Sequence, residues 1–407
     1  MTLGSAPERR TRWLGALAVF LMAMTPLVGY LAPLGFAPLL ALVGLLATPG
    51  LARSRPPMLP MFALLLLVLW ALISLHWSPA APTLSGLRRD KDVGAFTALK
   101  LVLELGLYGS AAAALGTLSG RSARLAGWVM LVGVIALSLF TGLDAVLKAK
   151  IYQALRAAVH DPIRPDLAVV KVSMPIYPLV LLFWPCARLL SAWGGRGRNV
   201  LIALMALMVL LAAHLTSADA SGAALLIGGA VWLGTRIVGK AFVRGMIPAV
   251  STLFIFAPMV VLWGVRSGFF SWLHGLAPPS WDARLNIWAF AANQIVEHAL
   301  RGWGIDASRI FGDAIPLHTH NAALQLWLEL GALGAALVAA FFAWVLYRIV
   351  AWTGDNRQDG AMAAACLTSY VMIGGLSFGV WQEWWIALGV IAAIACGIAQ
   401  KSSVAQR

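Results

Sequence analysis

The sequence predicts an all-α polytopic membrane protein with about twelve transmembrane helices, forming a single transmembrane domain over residues 1–407. Three observations carry this expectation. Hydrophobic residues make up 61% of the chain and charged residues 11%, with a mean hydropathy of +0.84, a composition foreign to soluble domains. Apolar stretches of roughly twenty residues, the length at which a helix crosses a bilayer, recur from one end of the chain to the other. Lys and Arg gather in every second short connection, as the positive-inside rule requires.

Taken in order, the spans fall near 13–31, 33–49, 58–76, 95–115, 125–147, 169–187, 199–216, 220–238, 246–265, 321–347, 361–380 and 384–400. Arg9, Arg10 and Arg12 ahead of the first imitate a signal peptide, but no small-residue cleavage site follows, so this segment counts as a span. Arg53, Arg55, Arg121, Arg124, Arg196, Arg198, Lys240, Arg244, Arg348, Arg357, Lys401 and Arg407 all fall on the side of the N-terminus, which is read as cytoplasmic together with the C-terminus.

On that topology the cytoplasmic side holds the whole formal charge of +14, and the far side balances. The pI near 10.4 then reflects orientation against anionic lipid headgroups and gives no reason to expect nucleic acid. Histidine behaves differently. His76, His160, His214, His274, His298, His318 and His320 all lie on or near the far side, where the working chemistry is expected. Cys186, Cys366 and Cys396 have no metal or redox spacing and read as packing residues.

Three far-side connections are long enough to hold function. The first, 76–94, alternates charge through Arg88, Arg89, Asp90, Lys91 and Asp92, as a solvated interfacial segment does. In the second, 148–171, an amphipathic first half is broken by Asp161-Pro162 and Arg164-Pro165, so its second half is expected to be irregular. The third, 266–320, is the largest. Ser280 or Asp282 is suited to cap a helix beginning near Arg284. Leu285, Ile287, Trp288, Ala291, Ala292, Ile295, Val296 and Ala299 repeat at helical spacing, and Gly302 or Gly304 is suited to end that helix. Arg284 and Trp288 are four apart, on one face.

At the end of that connection stands His318-Thr319-His320-Asn321, where the chain returns to an apolar helix. A neutral imidazole at such a boundary is able to take a proton near physiological pH, and anchoring a helix does not require two of them. Asn321 alone is explained as an N-cap. A metal site on His318 and His320 lacks a nearby third ligand. Gln325 and Glu329 follow on the same helical face, but in a regular helix Glu329 lies about 14 Å along the axis from His320, so it is read as a buried structural group needing its own partner. Lys100 and Glu104, also four apart, read as an internal ion pair. Trp381, Trp384 and Trp385, flanking Gln382 and Glu383, read as an interfacial anchor.

Arg284-x-x-x-Trp288, then Gly302-Trp303-Gly304, then His318-Thr319-His320-Asn321-Ala-Ala-Leu-Gln-Leu-Trp-Leu-Glu-Leu-Gly331 resembles the O-antigen ligase family. This is a branch of the superfamily that includes O-antigen polymerases and bacterial protein O-oligosaccharyltransferases. The resemblance is specific over 266–331 and general elsewhere. It implies a GT-C-like lipid-sugar transferase bundle in the bacterial inner membrane with a large periplasmic loop. The implied reaction moves a glycan, the O-antigen, from undecaprenyl diphosphate to a sugar hydroxyl of lipid A-core oligosaccharide, with inversion and without metal, cofactor or nucleotide. By the same resemblance His320 is the candidate base and Arg284 the candidate diphosphate ligand, roles that fit the chemistry of a deprotonating hydroxyl and a leaving diphosphate.

One departure stands out. Many relatives carry an arginine shortly after a Thr/Ser pair at the end of a middle span, whereas this chain has Thr216, Ser217 and then Asp219. Either another cation takes its place, with Lys171, Arg164 and Arg266 as candidates, or Asp219 orients one of those three. An O-antigen polymerase would use the same donor but a lipid-linked acceptor, and a protein O-oligosaccharyltransferase generally has a longer C-terminal region. A transporter of lipid-linked sugar would need broken helices or paired repeats, and no repeat is evident. The expected active site is a cleft between the bundle and the 266–320 connection, open sideways to lipid.

Overall fold

The computed structural model describes residues 6–54, 58–82, 96–118, 120–192 and 197–404. Arg88, Arg89, Asp90, Lys91 and Asp92 lie outside the described residues, as do Arg55, Arg196 and Arg407 and the side chains of Arg9, Arg10, Arg53 and Ser280.

Every regular element among the described residues is helical. The first half of the chain forms α1 (Ala6–Leu31), α2 (Phe36–Ala47), α3 (Met58–Ser74), α4 (Thr97–Leu115), α5 (Gly120–Val146), α6 (Lys150–Ala158), α7 (Pro165–Ser173) and α8 (Ile176–Ala192). The second half forms α9 (Gly197–Leu215), α10 (Asp219–Val238), α11 (Lys240–Arg266), α12 (Phe269–His274), α13 (Pro279–Glu297), α14 (Ala322–Asp355), α15 (Arg357–Leu376) and α16 (Glu383–Val404). Eleven helical segments are long and apolar enough to cross a membrane, with α7 and α8 counted as one, and α3 is a shorter apolar helix of 17 residues. The chain is an all-α polytopic membrane protein.

Neighbouring helices pack as α1 on α5, α2 on α4, α10 on α15 and α11 on α14. The buried apolar side chains divide into two principal clusters. One joins α1, α2, α5, α8, α9 and α16. The other joins α3, α11, α13 and the first part of α14. The connection from α15 to α16 contributes Trp381 to the second cluster, and the first turn of α16 contributes Trp384 and Trp385 to the first. At the end of the bundle away from α13, Arg188 Nε donates to Asp359 Oδ1 at 2.6 Å in a buried pair joining α8 to α15.

Helix α14 is 34 residues long but is interrupted at Gly331, whose φ of 65° and ψ of −163° are not helical. The interruption exposes carbonyls that a continuous helix would use, and the chain following α13 supplies their partners. Trp303 N donates to Leu328 O and Gly304 N to Glu329 O, while Ala332 N donates to Ala299 O, each at 2.8 Å. Trp70 Nε1 donates to Leu330 O at 2.9 Å. The break is therefore filled by the protein's own backbone.

Such close approach excludes side chains. A Cβ at Gly302 would lie 2.4 Å from the Glu329 carbonyl carbon, and one at Gly331 would lie 2.4 Å from Leu300 O; both glycines also have positive φ. This accounts physically for two glycines of the sequence pattern.

Several expectations are corrected. The stretch after Arg164-Pro165 is not irregular: Pro165 occupies the first turn of α7, where its missing N–H has no partner to lose. Helix α13 starts at Pro279, five residues ahead of Arg284, and its N-cap Pro278 makes no side-chain cap. Asp282 instead meets His274 Nδ1. The helix ends at Glu297, before either glycine, and Val296 and Ala299 are exposed while Leu285, Ile287, Ala291, Ala292 and Ile295 are buried. Lys100 pairs with Glu383, not with Glu104, whose buried Oε2 has no hydrogen-bond partner. Trp381, Trp384 and Trp385 are buried rather than interfacial, because they seal the seam between the two clusters.

Candidate functional site

Two residues before α14 the backbone makes an unusual turn. His320 has a φ of 52°, in the left-handed region that a side chain reaches at a cost of about 1–2 kcal/mol. The next residues explain how the turn passes into a helix. Asn321 is the N-cap of α14, accepting from Leu324 N at 3.0 Å through Oδ1. Thr319 Oγ1 donates to Asn321 O at 2.8 Å. Trp288 Nε1 donates to Thr319 O at 2.9 Å and so joins α13 to the turn.

The two imidazoles sit close together, with ring centroids 4.2 Å apart. His318 Nδ1 accepts the His320 backbone N–H at 3.1 Å. His320 Nδ1 faces Ser377 O at 3.0 Å. A carbonyl only accepts, so this nitrogen carries the proton, and His320 Nε2 holds a lone pair. Among the described residues no hydrogen-bond partner occupies that nitrogen.

Burial dominates the electrostatics. It pushes the His318 imidazole down to about 3, with His320, Arg284 and Arg309 acting in the same direction, so His318 is neutral at ordinary pH. Burial also holds His320 below its usual value; Arg284 adds to that effect and the Ser377 carbonyl opposes it.

Arg284 lies over the Trp281 ring, 5.1 Å from its centroid. Its guanidinium is lowered by burial, against the influence of Tyr177 and Asp219. The carboxylate that stands where the resemblance expects an arginine therefore acts on Arg284. The three candidates Lys171, Arg164 and Arg266 are exposed, and none is among the charged groups that act on the imidazoles or on Arg284. Arg164 is paired with Asp166 at 2.6 Å. Arg309, which the sequence reading did not single out, does act on His318; its Nη2 is 3.3 Å from Asp306 Oδ1.

Behind the turn runs a buried polar chain. Gln325 Nε2 donates to Glu329 Oε1 at 3.0 Å, and Gln325 Oε1 accepts from Val380 N at 2.9 Å. Glu329 is fully buried; its Oε2 accepts from Trp381 Nε1 at 2.6 Å and from Asp306 N at 2.9 Å. Gln382 Nε2 stands 3.2 Å from His318 Nε2. Tyr177, Arg309 and the 377–382 segment that carries Ser377 and Gln382 are far apart in sequence and belong to no local motif. Only the positive charge of Arg309, close before His318, offered a signal.

An unprotonated ring nitrogen within the electrostatic reach of a guanidinium is able to take a proton from a hydroxyl while positive charge stabilises a departing anion. No protein-family model matches the chain. The chain is similar to a protein of Rickettsia conorii named "Putative polysaccharide ligase", 28% identical over 247 residues that cover 54% of this chain and 58% of that protein. Proteins of the same name from Rickettsia typhi and Rickettsia bellii are 28% and 29% identical, over 48% and 49% of this chain and 51% and 52% of their own lengths. The chain spans about half the length of the curated relatives it matches.

Proposed function

We propose that this protein is a membrane glycosyltransferase of the polysaccharide ligase type, and specifically an O-antigen ligase. It transfers a glycan from undecaprenyl diphosphate to a sugar hydroxyl of lipid A-core oligosaccharide at the periplasmic face of the bacterial inner membrane. The observation that carries this reading is His320 Nε2, an unprotonated nitrogen in the same site as the Arg284 guanidinium. The similarity to proteins named as polysaccharide ligases supports the substrate class.

In the proposed reaction the acceptor oxygen attacks the anomeric carbon from the face opposite the diphosphate. The new C–O bond forms as the bond to the diphosphate oxygen breaks, with inversion. The hydroxyl proton passes to His320 Nε2, and the electron pair leaves with undecaprenyl diphosphate, whose growing charge Arg284 stabilises, with Arg309 as the second cation of the site. The guanidinium fork suits paired phosphate oxygens. Both amphiphiles reach the site sideways from the lipid, between the bundle and the 266–320 connection, and both chain termini are cytoplasmic.

The test is glycan transfer by purified protein with undecaprenyl-diphosphate-linked glycan, lipid A-core acceptor and EDTA. Transfer is expected to survive EDTA and to be lost in His320→Ala at matched folded yield. Undiminished transfer in that variant would remove His320 from the chemistry. Lengthening of the lipid-linked glycan without transfer to lipid A-core would instead identify a polymerase.

A further inference from the structure

We propose that His318 is a positioning residue which, with Gln382, locks His320 into the single tautomer that leaves Nε2 free. The inference rests on His320 being the base of the proposed reaction, but the lock itself is a property of the resting protein.

The geometry is a chain of one-way hydrogen bonds. His320 holds a left-handed φ of 52°, and its backbone N–H in that conformation ends on His318 Nδ1 at 3.1 Å. The same turn brings the His320 ring to Ser377 O, where Nδ1 must donate. For His318 Nδ1 to accept, it must carry no proton, so the proton of the neutral ring sits on Nε2. That nitrogen faces the Gln382 side-chain amide at 3.2 Å. An amide's two ends are assigned from their hydrogen bonds, and a nitrogen facing Nε2–H would set donor against donor. Turning the amide places Oε1 against the ring, and Oε1 is otherwise a buried oxygen with no hydrogen-bond partner.

His318 is only 7% exposed, so a second proton would have to be carried away from water. Protonated at Nδ1, His318 would oppose the His320 N–H and release the turn. The 377–382 segment lies directly against the ring: a Cβ on Gly379 would come 3.1 Å from His318 Cγ and 3.0 Å from Gln325 Oε1. Sequence spacing alone makes the two histidines look like a pair of equals. The structure gives them opposite tautomers and different tasks.

The experiment uses the full chain, purified and labelled with ¹⁵N-histidine, with His320 resonances assigned by their loss in His320→Gln. Imidazole ¹⁵N shifts report which ring nitrogen carries the proton. In wild type His320 is expected to show one population protonated at Nδ1, and His318 one protonated at Nε2. In His318→Leu the His320 signal is expected to become a mixture of tautomers. Transfer from undecaprenyl-diphosphate-linked glycan is expected to fall about tenfold to a hundredfold in kcat, with donor KM within about twofold. His318→Asn, whose Oδ1 stands in for Nδ1, is expected to restore both. A single unchanged His320 tautomer and an unchanged rate in His318→Leu would overturn the proposal, as would mixed tautomers in wild type. Should His318→Leu fail to fold, Gln382→Leu decides: His318 is expected to lose its exclusive Nε2–H form, and retention of that form with an unaltered His320 signal overturns the lock. If folded wild type performs no transfer, the function reading fails, while the ¹⁵N result still decides the lock.

Discussion

Trp381 donates its indole N–H to Glu329 Oε2 at 2.6 Å, so the α15–α16 connection is fastened to α14 through a carboxylate that water does not reach. Around this bond the backbone of Asp306 and the amide of Gln325 converge on the same group. The result is a cross-brace: α14, the chain after α13 and the segment carrying Ser377 and Gln382 hold one another at fixed spacing. The two imidazoles are set by these same three segments.

Glu329→Leu is expected to be strongly destabilising, because it leaves three buried donors without an acceptor, each at a cost of about 1–3 kcal/mol. Glu329→Gln keeps one oxygen in place and is expected to fall between Leu and wild type. Thermal unfolding of the detergent-solubilised variants checks the order; a Leu variant as stable as wild type would remove the cross-brace.

The glycines at the helix break give a sharper contrast. Gly331→Ala and Gly302→Ala each drive a Cβ to 2.4 Å from backbone atoms that have no rotamer to yield, and a large loss of folded protein is expected. Gly312 has a φ of 52° with open space around its Cβ position, so Gly312→Ala meets only the left-handed penalty of about 1–2 kcal/mol. Comparable yields of monodisperse protein from all three variants would contradict this account of the break.

What was legible in the sequence followed from local rules. Span positions come from hydropathy, and Asn321 as a cap comes from its place before an apolar helix. Arg284 and Trp288 both fall in one helix, α13, as their spacing predicts, but Arg284 lies over Trp281 while Trp288 bonds to Thr319 O, and the two ends of α13 differ from those expected. The failures are long-range. Lys100 meets Glu383 across 283 residues, and the indoles of 381–385 look interfacial by composition yet fill a seam between two clusters. The break at Gly331 had no periodic signature, because the residues that satisfy its carbonyls are Trp70 and the chain near 300.

Cations differ in what they are expected to do. Arg284→Gln is expected to cut transfer at least a hundredfold, since it removes the cation the site holds for the leaving diphosphate. Arg164→Gln is expected to leave the rate within about twofold, because Arg164 is exposed and already paired with Asp166. Parallel initial rates with undecaprenyl-diphosphate-linked glycan check this. Equal losses in both variants would return the 148–171 connection to the active site.

The pH dependence follows from the sign of the histidine shifts. The base form of His320 is the neutral one, and burial with Arg284 holds its titration below the ordinary value of 6.5. Transfer is therefore expected to stay level as pH falls through 6.5, with its acid limb lying lower. Removing the Arg284 charge relieves one of the two lowering influences, so the limb of the residual activity in Arg284→Gln is expected to move to higher pH. Stability carries a separate signature from His318, which titrates near 3 when folded and near 6.5 when unfolded. Between these values the unfolded chain binds the proton and the folded chain does not, so this histidine draws stability down as pH falls from about 6.5 toward 3. His318→Asn has no such proton to bind, and its melting temperature is expected to decline less steeply than that of wild type over that window. Identical slopes in the two proteins would mean that His318 is protonated in the fold, and the neutral acceptor role of its Nδ1 would fall with it.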